Sequence, residues 1–473
     1  MVRRGFMHVD PGRLVPLGYD RRVHLLRRGR EALGSDAERR APAAAGVAIV
    51  AGVVLLQWFY VVAPLLHAKP LIWQDSIDYV RLSTTPIPAI FTRSRPPLYP
   101  YLIHLLGHGR TLLVVQGVVS ASSFDILALA VFTRAGRGWF RYAAAAFIAC
   151  MAVSQSISLW NYSILTESFT LSVNALAAAS WVRLRGSRAL VPALGLAAFA
   201  GSMLRDSEVM LFLLLAVALG VYGLYSRPER RLQWATAVCV AAVALGALYV
   251  AAGTKRTSVY LKDVFYVRIF PYPERVAWFA AHGMPDSSAI DALARAGSAK
   301  PGVAKVVRYN TSKPAYFPLN AWFRDAASRE YLLYLATHPG YVLLEPFQQP
   351  TQAFNSVGLN VRGYAPRGQK YPRLLDAIVF PPGWLLLVGS LVVAALLLSE
   401  GAADERLFVQ GALMVAAGLV LTLIVWHAEG QEIARHNLES DVVGRIGVMV
   451  ALASLGVAPA GVTELDQGFA DTN

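Results

Sequence analysis

Ten long apolar stretches recur along the 473-residue chain, and they limit the available folds more than any other feature. Each carries few charges or none, and an apolar run of about 20 residues is long enough to cross a bilayer as a helix. The runs cover residues 43–66, 111–133, 142–160, 164–182, 189–204, 209–226, 232–253, 382–399, 407–427 and 442–460. The sequence therefore predicts an all-α polytopic membrane protein with about ten transmembrane helices.

The charge of the chain is low in density but strongly basic. Charged residues make up 16% of the chain and the formal net charge is +14. Residues 1–40 hold ten arginines and five acids. In a soluble protein this excess would suggest nucleic acid, but beside apolar runs it is typical of the cytoplasmic side of a membrane and of anionic lipids. We expect membrane lipids, and no nucleic acid, as partners.

The short connectors predict which way the chain crosses the membrane. Arginines lie in the connectors at 134–141, 183–188 and 227–231, which share a side with the amino terminus if every run is a crossing. Because Lys and Arg in short loops mark the cytoplasmic face, the amino terminus is predicted to be cytoplasmic in a plasma (inner) membrane. The predicted regions are a basic segment 1–42, a transmembrane module 43–253 with an outer loop at 67–110, an extracytoplasmic region 254–381, helices at 382–460 and a cytoplasmic tail 461–473.

Two carboxylates follow the first apolar run. Asp75 and Asp78 are three positions apart, so on a helix they share one face. A functional interpretation makes one of them a general base at the membrane boundary, where desolvation raises basicity. The alternative is a solvated helix that Asp75 caps at its positive end. Spacing alone leaves both open.

Two arginines and two prolines follow in the same outer loop. Arg93 and Arg95 precede Pro96-Pro97, and a stiff backbone lowers the entropy that arginines lose on binding a phosphate. The alternative is an ordinary interfacial loop, with Tyr99 among the aromatic residues that favour the membrane boundary.

Further charged residues lie at the ends of later runs. Glu167 opens the run at 164–182 and needs water or a partner there. Arg205 lies in a tight connector, where it contacts a headgroup phosphate or pairs with Glu208. Arg435 and His436 lie before the last run and suit a lipid phosphate better than a metal.

Several classes of site are not expected. The two cysteines, Cys150 and Cys239, both lie within apolar runs, which argues against a disulfide framework or a metal cluster. No phosphate-binding glycine loop, nucleophile elbow or zinc-binding helix motif occurs in a suitable context. We therefore name no metal ligands and no cofactor, and the sequence leaves open whether a divalent cation takes part.

The order of these motifs resembles the GT-C glycosyltransferases, within them the branch of protein O-mannosyltransferase-like and aminoarabinose-transferase-like enzymes. The series comprises Asp75-x-x-x-Tyr79, Arg95-Pro96-Pro97-Leu98-Tyr99-Pro100, Ile164-Leu165-Thr166-Glu167, Leu204-Arg205 and Arg435-His436. The resemblance covers residues 43–253 well and the remainder loosely. Each motif alone is weak, whereas their order and their shared side are more specific.

The resemblance implies an inverting transfer of a sugar from a polyprenyl-phosphate donor to an acceptor hydroxyl of a glycan, lipid or protein on the extracytoplasmic face. By this resemblance Asp75 is the base, with Asp78 as the second candidate. The implied substrate-binding residues are Tyr79, Arg93, Arg95, Tyr99, Glu167, Arg205, Arg435 and His436. Among them Arg95, Arg205 and Arg435 contact the leaving phosphate, and Glu167 orients the sugar or an arginine. Grooves between the spans would hold the prenyl tail.

The chain also departs from the family pattern. Asp75-Ser76 stands where many relatives have two adjacent acids, and Arg435-His436 stands where Arg-Tyr is commoner. Donor and acceptor therefore stay open, with mannose or arabinofuranose lipids suggested only by an actinobacterial-like composition. The alternative function is a multi-span transporter or lipid flippase, although apart from Asp125 and Arg445 the runs lack central charges. A non-catalytic scaffold or an O-antigen-ligase-like transferase forms a third class.

Overall fold

The computed structural model describes residues 51–92, 95–135, 139–184, 187–253, 260–285, 314, 317–354, 373–381, 389, 404–428, 430 and 433–455. The chain divides into two compact units, residues 1–52 and residues 53–473. The features described below belong to the second unit, apart from two residues at the start of the first helix. The predicted boundaries at 42, 253, 381 and 460 stay predictions.

The secondary structure of the described residues is helical, apart from one isolated parallel bridge between Leu71 and Ser163. The longer helices are α1 (Ala51–Leu65), α2 (Gln74–Ser83), α3 (Leu98–Leu106), α4 (Arg110–Arg134), α5 (Trp139–Met151), α6 (Glu167–Arg183), α7 (Leu190–Leu204), α8 (Glu208–Tyr225), α9 (Arg230–Gly253), α10 (Pro273–Ala281), α11 (Phe317–Asp325), α12 (Ala327–Thr337), α13 (Pro339–Gln348), α14 (Glu405–Ala428) and α15 (Leu438–Ala453). Shorter helices include Tyr260–Val264, Pro350–Ala353, Arg373–Val379 and Ile433–His436.

Five helices in the described part are long and apolar enough to cross a membrane. They are Arg110–Arg134, Trp139–Tyr162, Glu208–Tyr225, Arg227–Ala251 and Glu405–Ala428. α1 and α7 are apolar but shorter, α6 has 17 residues and α15 has 16. The predicted span at 382–399 lies outside the described residues except for one position. The helices agree with an all-α membrane protein, while the count of ten spans stays a prediction.

The bundle packs through closely spaced helices. α14 runs along α15, α8 along α9, and α4 against both α5 and α6. A Cβ atom on Gly411 would lie 2.5 Å from the backbone nitrogen of Ala451, and one on Gly447 would lie 2.7 Å from the carbonyl oxygen of Gly411. Small residues that let two backbones approach are typical of helix contacts in membranes. These glycines therefore allow α14 and α15 to pack as one unit.

Ion pairs collect at one end of the bundle. Arg134 Nη1 lies 2.8 Å from Asp404 Oδ2, and Arg406 Nη1 lies 3.3 Å from Glu229 Oε1. These pairs join the end of α4, the turn after α8 and the start of α14. The opposite ends of the same three helices therefore face the side where the candidate site is formed. The pairs agree with the prediction that the connectors at 134–141 and 227–231 lie on one side.

Two charges within the apolar runs have structural partners. Gln57 Nε2 donates to Asp125 Oδ1 at 2.8 Å, which is the structural hydrogen bond expected for an acid inside a span. Arg445 donates to the carbonyl oxygen of Pro381 at 2.8 Å and pairs with Asp441 at 3.1 Å. Both groups therefore have partners inside the protein.

Residues 260–285 and 317–348 form a second core built from aromatic rings. The ring of Phe265 lies 4.7 Å from that of Phe279, 5.1 Å from Phe323 and 5.4 Å from Trp322. The sequence predicts helices at 287–296 and 323–337. The first lies outside the described residues, and the second is confirmed only from Ala327, because a separate helix, α11, ends at Asp325.

The aromatic core is fastened to the final helices. Tyr331 Oη donates to the carbonyl oxygen of His427 at 2.8 Å, and Asn437 Nδ2 donates to that of Ala353 at 2.6 Å. A Cβ atom on Gly430 would lie 2.2 Å from the carbonyl oxygen of Asp263. The region thus lies at the end of α14 where the candidate site is formed.

Candidate functional site

The segment before α2 is held by the one isolated bridge. The backbone nitrogen of Leu71 donates to Tyr162 O at 2.8 Å, and that of Ile164 donates to Leu71 O at 3.1 Å. α2 then begins with the backbone nitrogen of Trp73 donating to Ser76 Oγ at 2.9 Å. Ser76, and not Asp75, therefore makes the side-chain hydrogen bond at the helix start. The capping role considered for Asp75 is not observed.

Asp75 lies between two arginines. Arg95 Nη2 donates to Asp75 Oδ1 at 3.0 Å, and Arg435 Nη1 donates to Asp75 Oδ2 at 3.2 Å. Burial raises the pKa of Asp75, but the charges and hydrogen bonds of Arg435 and Arg95 together outweigh it, so the net pKa lies below the usual value. Asp75 is therefore ionised and oriented at neutral pH.

Asp78 also contacts Arg95, and it is more exposed than Asp75. Arg95 Nη2 donates to Asp78 Oδ2 at 3.0 Å, and Arg81 lies 3.9 Å from the other oxygen. The side chain of Asp78 is 44% exposed, compared with 37% for Asp75. Of the two acids, only Asp75 contacts Arg435 among the described residues, which favours Asp75 as the residue at the centre of the site.

Glu167 is the buried acid of the site. It opens α6 with 1% of its surface exposed, and Arg435 Nε donates to Glu167 Oε1 at 2.5 Å. Arg205 Nη1 lies 3.8 Å from the same oxygen. The second oxygen, Oε2, is buried without a hydrogen-bond donor among the described residues. Since buried carboxylate oxygens normally accept hydrogen bonds, Oε2 has the capacity to accept one more hydrogen bond.

Arg205 pairs with partners that the sequence did not indicate. Arg205 Nη1 donates to Glu439 and Arg205 Nη2 contacts His436 Nδ1, both across more than 200 positions of chain. The expected pairing of Arg205 with Glu208 is not the direct contact. Burial lowers the pKa of His436, as do the nearby charges of Arg205 and Arg435. His436 is therefore neutral at pH 7, with Nδ1 as its acceptor nitrogen.

The two predicted tyrosines are buried beneath the charged groups. Tyr99 Oη donates to Gln116 Oε1 at 2.9 Å, and its ring meets that of Tyr79 edge-on at 5.1 Å. The Arg95 guanidinium lies 5.5 Å from the centre of the Tyr79 ring. Burial raises the pKa of both hydroxyls far above pH 7, so they stay protonated. Tyr79 therefore contacts Arg95 directly and is close enough to Asp75 and Glu167 for their charges to act on its hydroxyl, whereas Tyr99 packs behind the Tyr79 ring.

Of the ten predicted site residues, the structure joins six directly into one network of charged contacts. These are Asp75, Asp78, Arg95, Glu167, Arg205 and Arg435. His436 joins it through Arg205. Arg93 lies outside the described residues, so its predicted role is not addressed.

Two members of the site were missed in the sequence. Glu439 is 2% exposed and pairs with Arg205. Gln116 donates through Nε2 to Ser163 O at 3.1 Å and so fastens the backbone before Glu167. The spacing Arg435-x-x-x-Glu439 at the head of an apolar run was a visible signal for the first, whereas a glutamine inside α4 gave none.

A cavity of about 40 Å³ lies between α6, α8, α14 and α15. It is lined by Asn174, Ala177, Ala178, Trp181, Leu211, Phe212, Leu215, Ala218, Met414, Ala417, Val443 and Ile446. Asn174 follows Glu167 by seven positions on α6, or about 10 Å along the axis. None of the predicted site residues lines the cavity, so it is not the expected groove leading from Asp75.

The site combines arginines and acids without the ligand set of a metal centre. Among the described residues, no group of three His, Cys, Asp or Glu side chains is arranged to hold a metal ion. Arginines bind phosphate through paired N–H donors, and carboxylates accept protons or hydroxyl hydrogen bonds. The arrangement is therefore suited to an anionic ligand that also carries hydroxyl groups.

No protein-family model, curated protein or solved structure matches the chain.

Proposed function

We propose that the protein is a membrane glycosyltransferase that moves a sugar from a polyprenyl-phosphate donor to an acceptor hydroxyl. The observation that supports this best is Arg435, which contacts both Asp75 and Glu167. It brings an acid of the first outer loop and an acid of α6 to one place, as the motif order suggests. The proposal also uses the network of three arginines around these acids.

In the proposed reaction Asp75 takes the proton of the acceptor. The acceptor hydroxyl attacks the anomeric carbon, the bond from that carbon to the phosphate oxygen breaks, and polyprenyl phosphate leaves with the bonding electrons. The proton of the hydroxyl passes to Asp75, which its two arginines keep ionised beforehand. A low pKa makes Asp75 a weak base, so this role requires that Arg95 and Arg435 turn toward the donor phosphate when it binds.

The arginines supply the charge that the leaving group needs. A phosphate leaves without protonation when cations stabilise the negative charge that develops on it. Arg95 and Arg435 already contact Asp75, and Arg205 lies beside Glu167. Exchange of these carboxylate partners for phosphate oxygens would raise the basicity of Asp75 at the moment the donor is bound.

Glu167 is proposed to orient the sugar. Its Oε1 accepts the hydrogen bond from Arg435, while Oε2 has no donor among the described residues. A sugar hydroxyl is a donor of the kind that this oxygen lacks. The same carboxylate would then fix both an arginine and the sugar ring.

The membrane placement of the proposal follows from the two ends of the bundle. Arg134 and Arg406 pair with acids at the end opposite the site, which favours a cytoplasmic end there and an extracytoplasmic site. The cavity of about 40 Å³ inside the bundle is too small for a prenyl chain. The tail is therefore proposed to lie along the outer surface of the helices or in a groove that opens on binding.

The experiment that tests the proposal uses the purified protein in lipid vesicles with a panel of labelled polyprenyl-phosphate sugars. Release of free polyprenyl phosphate that depends on an acceptor and is lost in Asp75→Asn would support it. Movement of the lipid between leaflets without release would favour the flippase alternative and overturn it. A cytoplasmic location of a tag at residue 75 would overturn the proposed side of the site.

A further inference from the structure

In α13 the charged side chain is buried and several apolar side chains are exposed. Glu345 is 4% exposed, whereas Leu343, Leu344 and Phe347 are each more than half exposed. With Gly340, these three residues form a stripe at the spacing of one helix face. A helix at the surface of a soluble domain shows the reverse arrangement. The outer face of α13 is therefore suited to an apolar environment.

The inward face of α13 is attached to the last turn of a candidate span. Trp426 Nε1 donates to Glu345 Oε2 at 3.1 Å, and His427 Nε2 donates to Val342 O at 3.0 Å. Trp426 and His427 lie in the last turn of the 24-residue helix α14. A helix of that length spans about 36 Å, and the hydrocarbon core is about 30 Å thick. The contact therefore puts α13 at the edge of the hydrocarbon.

The neighbouring helix continues the same surface. Leu332 and Leu333 on α12 are exposed, and α12 packs against α13 across His338, where one helix ends and the next begins. Tyr331, on the inward side of α12, donates to the carbonyl oxygen of His427. Both helices therefore face the end of α14 with one side and expose leucines with another.

We propose that the exposed face formed by Leu332, Leu333, Leu343, Leu344 and Phe347 is a membrane-anchoring surface that lies among the acyl chains of the lipid at the bilayer boundary. A lipid occupant is favoured because α12 and α13 contact the last turn of a candidate span, and because the α13 stripe carries no charge. Helices of this kind lie in the plane of the interface. The region between the spans is then partly embedded and not a freely soluble loop.

The inference rests on the membrane-spanning helices and is independent of glycosyl transfer. Its test uses the full chain with Cys150 and Cys239 replaced by alanine and a single cysteine introduced by Leu344→Cys or Phe347→Cys. Each variant is labelled with an environment-sensitive fluorophore and reconstituted at one copy per nanodisc. Arg324→Cys on α11 is the matched control, since Arg324 is 74% exposed and pairs with Asp325.

The expected result is a blue-shifted emission at positions 344 and 347 relative to 324, with strong quenching by lipid-attached quenchers and little by aqueous iodide. The control should show the opposite preference. Efficient iodide quenching at 344 and 347 would overturn the proposal. Shielding from both quenchers would also overturn it, in favour of a protein contact on this face. An unchanged elution volume of each labelled variant verifies that it is folded.

Discussion

Arg435 and Asp75 lie 360 positions apart and form an ion pair, with Arg435 Nη1 3.2 Å from Asp75 Oδ2. The same guanidinium donates to Glu167 through Nε at 2.5 Å. One side chain of the short helix before α15 therefore fixes the acid of α2 relative to the acid of α6. Substitutions at any of these three residues should affect the other two.

Asp75→Asn should abolish sugar transfer while leaving the amount of folded protein unchanged. Loss of a general base costs about 10²–10⁴-fold in rate, and the amide still accepts a hydrogen bond from Arg95. The measurement is release of polyprenyl phosphate, with elution volume as the test of folding. Asp78→Asn is the matched control and should retain far more activity, since Asp78 has no contact with Arg435 among the described residues. Equal losses of transfer activity in Asp75→Asn and Asp78→Asn would contradict the assignment of Asp75 as the base in preference to Asp78.

Arg435→Lys should lower both stability and transfer although it keeps the positive charge. A lysine has one donor group and cannot reach Asp75 and Glu167 in the forked geometry of a guanidinium. Breaking a buried pair costs about 3–5 kcal/mol, and Glu167 is 1% exposed. The midpoint of thermal unfolding in detergent measures the first effect. Arg324→Lys, at an exposed pair, should leave that midpoint unchanged. Retention of full activity by Arg435→Lys would show that the bridge is not needed.

His436 should make the folded protein less stable as pH falls through the ordinary histidine range. Burial and the nearby arginines lower the pKa of His436 in the folded chain, so below about pH 6.5 the unfolded chain binds a proton that the folded chain does not. His436→Gln should flatten this part of the curve of unfolding free energy against pH.

The pKa of Asp75, like that of His436, is lowered on folding, but Asp75 titrates in a more acidic pH window. Its pKa is lowered on folding, so its stabilising contribution is present above the unfolded pKa and is lost only as pH falls through the lower folded value. Asp75→Asn should therefore leave the histidine window unchanged. The same slope in His436→Gln and in the unmodified protein would assign the pH dependence to another group.

Gly430→Ala should push apart the backbone at Gly430 and the backbone at Asp263 and Val264. The new Cβ atom would lie 2.2 Å from Asp263 O and 2.6 Å from the backbone nitrogen of Val264, and backbone atoms cannot move aside cheaply. A loss of about 1–3 kcal/mol is expected for such overpacking. Gly246→Ala on α9 is the control, because nothing lies within 4 Å of the added atom. Equal thermal midpoints for the two variants would contradict the close approach.

Glu345→Gln should release the aromatic region from α14. Glu345 accepts from Arg275 at 2.7 Å and from Trp426 at 3.1 Å, and Arg268 lies 3.5 Å away. The substitution removes the carboxylate with which Arg268 and Arg275 both pair. A broken buried pair costs about 3–5 kcal/mol. Limited proteolysis between residues 260 and 348 should become faster. Glu274→Gln, at an exposed position, should leave the rate of cleavage unchanged.

The sequence predicted which residues share an end of the bundle but not how they pair. Counting the apolar runs put Asp75, Glu167, Arg205 and Arg435 on one side, and the contacts agree. The choice of Glu439 over Glu208 as the partner of Arg205 was not predictable, because it depends on how α15 packs beside α8, which local spacing does not encode.

The positions of the tyrosines illustrate the same limit. Tyr99 suits a membrane boundary by its type and its place in the chain, yet it is fully buried and bonded to Gln116. A ring of that kind is stable at the interface or in a core when its hydroxyl finds a partner. Only the position of α4 decides between the two, so sequence reasoning favoured the wrong environment.

The parallel bridge between Leu71 and Ser163 pairs two segments that each continue for four residues to a carboxylate, Asp75 in one case and Glu167 in the other. The separation of the two acids is thus set by matched segment lengths on either side of a single pair of backbone hydrogen bonds. Insertion or deletion of one residue at 72–74 or at 164–166 would shift one acid without the other. Variation in chain length should therefore be tolerated elsewhere in the loops on this side of the bundle long before it is tolerated in these two short segments.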